Sequence, residues 1–396
     1  MYLTKEEEEI LSGKKGEMFS KLLRLLVKLG ESYGSEKLIE IKSAHTVLNF
    51  GLNFVNSAAE ILRNITNEGL KVKVRTTADP IVDMIFADAL GGIPKLFVLQ
   101  DQLINDLKKI GVKGFTCTPY FSDNRPHFGD HCAWAESSAV IYLNSIIGGR
   151  SNREGGVIDI ASAITGKTPN YGLHLNEERK GQILFKVTFD EWDLFDLTSI
   201  GLKIGEITGS RIPVIEGLKT ISTDELKNLG AASAATGAVA LIHVIGITPE
   251  AKTKEEAFHN DKPEEIIEIN KSDLKEVKEK YSTEWSDPPK TISIGCPQLS
   301  KEEVISILKK LQGKTVLLDR NLWICTCEDV KQAIQKSQYQ KVLEKSGAKL
   351  TTLCPMLTPL PRPFTTNSGK TCFYTNATYR SLDDCLRIAM EGSDNA

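Results

Sequence analysis

The amino-acid sequence predicts a protein of the α/β class with more than one domain. Segments with helical spacing of apolar residues alternate with short strand-like runs, and this alternation is most regular after residue 290. A chain of 396 residues is too long for one ordinary hydrophobic core and long enough for two or three domains of typical size. Alternation of this kind is typical of parallel sheets that are covered by helices.

The N-terminal segments predict helices first and a strand later. Thr4 and Glu7 have the spacing of a capping box, and leucines recur at helical spacing within residues 22–29. A second amphipathic pattern covers residues 55–65, and residues 71–75 alternate as a strand does. The order helix, helix, strand fits the predicted class.

Two segments in the middle of the chain differ in charge. Residues 229–249 lack charge but are rich in small residues, so they predict a buried helix and then a buried strand, not a membrane span. Residues 252–289 are charged and interrupted by prolines, which predicts a surface helix and a linker. We therefore expect three regions, which cover residues 1–206, 207–289 and 290–396.

The last region repeats the pattern of strand and helix. Ser300 and Glu303 predict a helix start, and that helix should extend to Leu311. A second helix is expected near residues 328–345. The predicted strands are residues 291–295, 315–318 and 349–353.

The bulk composition excludes some functions. The chain has 49 basic and 52 acidic residues, and no basic cluster has aromatic residues within it, so a nucleic-acid partner is not expected. The first residues lack the basic and apolar regions of a secretory signal, which predicts a cytoplasmic location without a membrane partner. Eight cysteines in such a chain indicate metal binding, catalysis or burial more than disulfides.

Three cysteines share one local setting. Cys117, Cys296 and Cys354 each come directly after a predicted strand. Ligands of open α/β sheets collect at the carboxyl ends of strands, and three thiolates there could hold an iron–sulfur cluster. From the spacing alone, three separate buried cysteines are an equal alternative.

Cys325 and Cys327 are rival ligands. On a strand, this CxC spacing would put both sulfur atoms on one face. Two thiols are an incomplete metal site without further ligands, so core packing around Trp323 is the favoured interpretation.

The densest polar stretch covers residues 129–156. Glycines flank Arg150 and Arg153 there, so backbone amides could approach an anion while the guanidinium groups bind carboxylate or phosphate with paired donors. A solvated loop rich in turn residues is the alternative. Residues 365–370 form a second small, polar and basic segment.

The histidines are scattered. Any of the six, His45 and His131 among them, could act as an acid or a base. No HExxH motif or other spaced pair occurs, so each taken singly is better explained as a surface or structural histidine.

A set of short segments resembles the large-subunit region of the aconitase X family. The resemblance spans nearly the whole chain. Its segments are Met1–Thr4, Ile41–Ala44, Cys117–Tyr120, Ala133–Val140, Asn152–Gly156, Ile212–Leu218, Gly295–Pro297 and Thr366–Lys370.

This resemblance implies an aconitase-like fold, in which several α/β units surround a central cleft that holds an iron–sulfur cluster of the 4Fe–4S type. Cys117, Cys296 and Cys354 would be the cluster ligands, and the CxC cysteines would then pack in the core. The resemblance also implies that the swivelling domain of some bacterial relatives is a separate small subunit here. A serine of that subunit would be the catalytic base.

The resemblance and the polar segments together give the candidate site residues. His131 and Glu136 are the candidates for a base that this chain itself would supply. The candidates for substrate binding are Lys42, Ser43, His45, Ser145, Arg150, Asn152, Arg153, Ser368 and Lys370.

Members of the family remove water from a small hydroxy acid. The substrate is mevalonate 5-phosphate in the archaeal mevalonate pathway of isoprenoid biosynthesis, or cis-3-hydroxy-L-proline in bacteria. A separate large subunit with all three cysteines resembles the first group. We therefore expect a hydro-lyase that acts on mevalonate 5-phosphate, with hydroxyproline dehydration as the alternative. A non-enzymatic iron–sulfur sensor that binds RNA is a further alternative, and the net charge of -3 argues against it.

Overall fold

A computed structural model of the chain describes residues 1–48, 52–81, 94–282, 289–356, 360, 363–375 and 377–392. The chain divides into two compact units. The first contains residues 1–81 and 93–180, and the second contains residues 82–92 and 181–396. The three-region division stays a prediction; its first boundary, after residue 206, falls within a helix.

The first unit combines helices with short strands. Its helices are α1 (Lys5–Leu11), α2 (Glu17–Ser32), α3 (Leu52–Asn67), α4 (Pro94–Ile110), α5 (Ser137–Tyr142) and α6 (Gly156–Thr165). Its strands are β1 (Leu38–Glu40), β2 (Ser43–Thr46), β3 (Arg75–Ala78), β4 (Cys132–Trp134) and β5 (Lys167–Pro169). In the described residues, β3, β2 and β4 form a parallel sheet in that order, and β1 pairs with β5 antiparallel.

The core of the first unit lies between its helices. Leu26 of α2, Leu62 of α3 and Ile110 of α4 are fully buried in one apolar cluster. Helix α6 packs closely against the end of β2, because a Cβ atom on Gly156 would lie 1.9 Å from the carbonyl oxygen of Val47. Only glycine fits at that contact, which fixes the start of α6 beside the sheet.

The predicted capping box is confirmed, and the first predicted strand is wrong. The side chains of Thr4 and Glu7 each accept the other's backbone N–H at the start of α1. The strand in question is Arg75–Ala78, not residues 71–75. The alternation at residues 71–75 reflects Val72 and Val74, which precede the strand and pack against a small buried cluster.

The second unit contains two parallel sheets. Its helices are α7 (Leu194–Thr208), α8 (Thr223–Thr236), α9 (Lys254–Ala257), α10 (Lys271–Tyr281), α11 (Lys301–Lys310), α12 (Glu328–Gln335), α13 (Gln340–Ser346), α14 (Gly369–Thr375) and α15 (Leu382–Glu391). Its strands are β6 (Ile183–Val187), β7 (Pro213–Glu216), β8 (His243–Val244), β9 (Glu265–Ile269), β10 (Thr291–Leu299), β11 (Asn321–Thr326), β12 (Lys349–Thr351), β13 (Phe364–Thr366) and β14 (Thr378–Tyr379).

The strand order of these two sheets follows from their pairing. In the described residues, one sheet has the order β8-β7-β6-β9 and the other has the order β12-β11-β10-β13-β14. Every pair in both sheets is parallel. The predicted α/β class is therefore confirmed, because parallel strands need crossover connections and helices supply them here.

Several predicted elements of the second unit are confirmed, and one is corrected. The buried helix predicted within residues 229–249 is the second half of α8, which begins at Thr223, and the buried strand predicted there is β8. Ser300 with Glu303 caps α11. The strand expected at residues 315–318 is absent from the described ladders; the backbone N–H of Val316 donates to Ser346 and that of Leu317 to Ala389. The ladder instead uses β11, which contains the first cysteine of the CxC motif.

The charged segment 252–289 also contains a strand that the sequence did not predict. Strand β9 lies at the edge of its sheet, and Glu265, Ile266 and Glu268 are all exposed. An edge strand of this kind lacks the alternation that identifies a half-buried strand. The surface helix predicted in the same segment is α10, and residues 283–288 lie outside the described residues.

Within the described ranges, no helix has both the length and the apolar character that crossing a lipid bilayer requires.

Candidate functional site

In the larger sheet of the second unit, the order in which the chain adds strands reverses at β10. The chain places β11 and β12 on one side of β10, and then returns to place β13 and β14 on the other side. Ligands of open α/β sheets bind at such a point, beyond the carboxyl ends of the strands. Cys296 lies at this end of β10, and Ser368 and Lys370 follow β13.

The structure brings Cys296 and Ser368 together. Regular pairing of β10 with β11 stops at Ile294 and resumes only at Leu299, so Cys296 lies in the irregular part of the strand. The Ser368 hydroxyl donates to the carbonyl oxygen of Cys296 and accepts the N–H of Thr371 at 3.1 Å. Lys370 is buried at the start of α14. These contacts join the predicted ligand to the predicted basic segment.

Gly295 explains how the strand turns before Cys296. Its φ is +105°, and a Cβ atom there would lie 2.3 Å from the carbonyl oxygen of Cys325 on β11. Glycine adopts this backbone conformation without the cost that other residues carry. The close contact with β11 therefore sets the position of the next residue, Cys296.

Cys354 follows β12 at the same carboxyl edge of this sheet. It comes after Thr351, whose hydroxyl accepts the N–H of Leu353 at 3.2 Å. Both β10 and β12 are parallel neighbours of β11. Cys296, in the carboxyl half of β10, and Cys354, just after β12, therefore lie towards the same edge of the sheet, separated by one strand. Cys117 belongs to the first unit, where Thr116 and Thr118 beside it hydrogen-bond to each other.

The eight cysteines differ in how well they could bind iron. None forms a disulfide. Cys117 and Cys296 keep 7% and 6% of their surface exposed, and Cys354 is half-buried. The others are at most 3% exposed, and burial raises the pKa of each of their thiols; these are Cys132, Cys325, Cys327, Cys372 and Cys385.

This difference fits the predicted ligand set, because a cluster binds thiolates and burial opposes their formation. Burial raises the pKa of Cys325 to about 12, and its sulfur contacts the Ser293 hydroxyl at 3.7 Å within the sheet. Core packing therefore accounts for Cys325. Within the described residues, no three His, Cys, Asp or Glu side chains are grouped as a metal site, so the set Cys117, Cys296 and Cys354 stays a prediction.

In the first unit, Ser43 and His45 of β2 belong to a buried hydrogen-bond network. The Ser43 hydroxyl donates to Asn124 at 2.9 Å and accepts the indole N–H of Trp134 at 2.8 Å. His45 is fully buried, and its two ring nitrogens lie 2.9 Å from the Thr77 hydroxyl and 3.2 Å from an Asp79 carboxylate oxygen. The ring is thereby fixed in orientation at the carboxyl end of the small parallel sheet.

His131 pairs with a second histidine that the sequence did not single out. The Nδ1 atoms of His131 and His174 are 3.0 Å apart, so one ring donates to the other. Burial lowers the pKa of His174 to about 3, and burial with the nearby Arg150 lowers the pKa of His131. Both rings are therefore neutral at pH 7, and His131 is in the form that can accept a proton.

Arg150 holds the backbone around His174. Its guanidinium group donates to the carbonyl oxygen of His174 at 2.8 Å and to the side chain of Asn176. Beside it, Arg179 is 2% exposed and donates to the carbonyl oxygen of Asn144 at 3.1 Å. The polar stretch is therefore an ordered structure, and the alternative of a merely solvated loop does not describe it.

Asn152 and Glu154 contact the segment just before His174. The Asn152 amide donates to the carbonyl oxygen of Tyr171 at 3.0 Å and accepts the N–H of Leu173 at 2.8 Å. The Tyr171 hydroxyl donates to Glu154 at 2.7 Å, and burial raises the pKa of Glu154. Arg153 lies between Asn152 and Glu154 in the sequence and is half-buried.

The remaining candidates have less direct support. Glu136 caps α5, where it accepts the N–H of Ala139 at 2.7 Å and the hydroxyl of Ser138 at 2.6 Å. That is a structural role. Ser145 is buried in a π-helical turn, Leu143–Ile147, while Lys42 is exposed next to β2.

Sequence reasoning missed partners that lie far from the candidates along the chain. Thr77, Asp79 and Asn124 contact β2 from other segments, and His174 and Arg179 contact the polar stretch. Only a prediction of which strands pair could have found the first three. The run Asn176–Arg179 has the composition of a solvated loop, which gave no sign that Arg179 is buried.

Comparison with known proteins assigns these units to one family. The family models for the first, second and third domains of aconitase X match residues 1–177, 181–279 and 289–391. The phosphomevalonate dehydratase large subunit of Thermococcus kodakarensis is 41% identical over 98% of this chain and 97% of its own length. The cis-3-hydroxy-L-proline dehydratase of Pseudomonas aeruginosa is 28% identical over 98% of this chain but only 70% of its own length.

A solved structure agrees with the sequence comparison. The crystal structure of Thermococcus kodakaraensis aconitase X in its holo form superposes with a TM-score of 0.87 and 39% identity, and the match covers 98% of this chain and 99% of that one. A similarity of this extent includes the parallel sheets and the polar segments described above. The chain belongs to the aconitase X family.

Proposed function

We propose that this chain is the large subunit of a phosphomevalonate dehydratase. The enzyme is a hydro-lyase that removes water from mevalonate 5-phosphate and gives trans-anhydromevalonate 5-phosphate. One observation carries the proposal: the similarity to archaeal large subunits of that name extends over nearly the full length of both chains. The bacterial hydroxyproline dehydratase is less similar and has a substantial part that this chain does not match.

The protein must lower two barriers in this reaction. The proton to be removed lies next to a carboxylate and is very weakly acidic, and the hydroxide that leaves is a poor leaving group. Positioning and charge stabilisation must therefore supply most of the rate. The substrate carries a carboxylate and a phosphate, so the site needs cationic groups for both.

Arg150, Arg153 and Lys370 are the cations that we assign to substrate binding. Arg150 already donates to His174 and Asn176, so its main effect is to hold the loop that the substrate would contact. Arg153 follows directly, in a segment whose backbone Asn152 fixes. Arg153 is therefore our first choice for a two-pronged contact with an anionic oxygen pair, and Lys370 with Ser368 is a further candidate for anion binding.

Cys117, Cys296 and Cys354 would hold the iron–sulfur cluster of the family. When bound, the cluster would supply an iron with an open position, which acts as a Lewis acid towards the substrate carboxylate and hydroxyl. Cys354 is half-buried, while Cys117 and Cys296 are buried but slightly more exposed than the other five cysteines. This difference supports the choice of these three as the ligands.

We also propose a small subunit as the partner. The family resemblance suggests that its swivelling domain supplies the catalytic base and covers the substrate, which excludes water. In the absence of such a partner, His131 is the better internal candidate for a base, because it is neutral while Glu136 is committed to capping α5. A cytoplasmic location and the lack of a nucleic-acid partner stay predictions from the composition.

The test uses the chain co-expressed with its candidate small subunit and reconstituted anaerobically with iron and sulfide. We expect a one-to-one complex on size-exclusion chromatography that dehydrates mevalonate 5-phosphate. Mevalonate without phosphate is the matched control and should react poorly. Turnover of cis-3-hydroxy-L-proline instead would establish the alternative activity, and full activity of the large chain alone would disprove the need for a partner.

A further inference from the structure

Gln298 connects the two segments that carry predicted cluster ligands in the second unit. It lies two residues after Cys296 and is fully buried. Its side-chain amide donates to the carbonyl oxygen of Thr352 at 2.9 Å, and Thr352 lies two residues before Cys354. The Gln298 side chain therefore connects the two segments.

The sheet explains why such a connection is needed. Strands β10 and β12 do not pair with each other, because β11 lies between them. Pairing of β10 with β11 is interrupted between Ile294 and Leu299, and β12 ends at Thr351, so the ladder does not set the spacing of these segments there. The contact from Gln298 to Thr352 joins the segments on either side of β11 across this interruption.

A second element, helix α8, contacts the backbone of Gln298. Lys227 of α8 has a fully buried ammonium group, which donates to the carbonyl oxygen of Gln298 at 3.4 Å. Lys227 also forms a short ion pair with Glu303 and lies 3.5 Å from a carboxylate oxygen of Asp224. Gln298 is thus anchored at its carbonyl group and at its amide group by separate elements.

We propose that Gln298 is a positioning residue for the cluster, which holds the segments of Cys296 and Cys354 at the separation that iron binding needs. The proposal rests on the proposed function, since it assumes that these cysteines bind the cluster. A hydrogen bond between buried groups resists distortion more than a contact between apolar groups, because the unpaired carbonyl group would remain desolvated.

The experiment compares Gln298→Met and Gln298→Glu with wild type in the reconstituted complex. Methionine keeps the length of the side chain without the donor, and glutamate keeps its shape. The control is Gln182→Met, because the Gln182 side chain also hydrogen-bonds to the backbone, in its case by accepting the N–H of Ile212 at 3.1 Å, in the other sheet of the unit. The readouts are the charge-transfer absorbance, the rate of iron release to a chelator, and the circular dichroism of the chain.

Both Gln298 variants should release iron about tenfold faster than wild type, which corresponds to the loss of one buried hydrogen bond. Gln182→Met should release iron at the wild-type rate. Release at the wild-type rate from a folded Gln298 variant would overturn the proposal while leaving the cluster intact. Misfolding of both variants would assign Gln298 to folding alone and overturn it too. A wild-type complex that binds no cluster would refute the proposed cofactor first, and this inference with it.

Discussion

Replacing His174 with asparagine should make the protein less sensitive to mild acid. His174 is 3% exposed, and the groups that perturb it are His131, Arg179 and Arg150, none of which is acidic. Burial, followed by these neighbours, which disfavour a further positive charge, lowers its pKa from 6.5 to about 3. Asparagine offers a polar atom near the position of Nδ1 but does not titrate in this range.

The size of the effect follows from the pKa shift. Between pH 6.5 and pH 3 the unfolded chain binds a proton at His174 and the folded chain does not, so stability is lost as the pH falls through that window. The slope is about 1.4 kcal/mol per pH unit once the pH is well inside the window. From pH 7 to pH 5, this residue alone should therefore reduce the free energy of unfolding by about 2 kcal/mol.

Urea unfolding at pH 7 and pH 5 measures this loss for wild type and His174→Asn. The variant should lose about 2 kcal/mol less between the two pH values than wild type does. His259→Asn is the matched control, because His259 is exposed and its φ of 51° suits asparagine. Equal losses for wild type and His174→Asn would show that His174 is protonated in the folded protein, and the reasoning from burial would be wrong.

Three further predictions test the proposed site and its support. Alanine at any predicted cluster ligand should abolish the charge-transfer absorbance of the reconstituted complex, whereas alanine at Cys325 or Cys327 should preserve it; the ligands are Cys117, Cys296 and Cys354. Arg153→Lys should lower kcat/KM by about tenfold to a hundredfold, because lysine cannot reproduce a two-pronged contact, and a variant within about twofold of wild type would place Arg153 outside the site. Lys227→Met should reduce the free energy of unfolding by about 1.5 to 3 kcal/mol in urea titrations, because the half-buried Glu303 would lose its ion-pair partner and keep its contacts with Asn228 and Ser300. The exposed pair of Lys219 and Asp190 is the control, and Lys219→Met should cost less than about 1 kcal/mol.

Features that depend on near neighbours in the sequence could be predicted. The capping boxes at Thr4 and Ser300 need only a residue three positions away, and both are present. The second half of α8, from Leu229, was predicted from its lack of charge over a long run, whereas its charged first turns were not. The order of helices and strands was therefore largely accessible, and with it the α/β class.

Features that depend on distant neighbours could not be predicted from spacing. The alternation around Val72 could reflect a strand or packing against a buried cluster. Residues that are distant in the sequence but close in space decide between the two. Strand β9 is recognisable only from its pairing with β6, since its own residues are largely exposed. The same holds for His174, whose neutral state depends on its burial against His131 and on two arginines.

The strand order around β10 has a consequence for how the protein is made. Thr291 of β10 pairs with Phe364 of β13, so the segments from α11 to β12 must be synthesised before β10 gains its second neighbour. Until then, one edge of a fully buried apolar strand is open to other chains. A ribosome-bound chain therefore carries an aggregation-prone edge during translation of the last third of the protein, and chaperones that shield strand edges should increase its soluble yield.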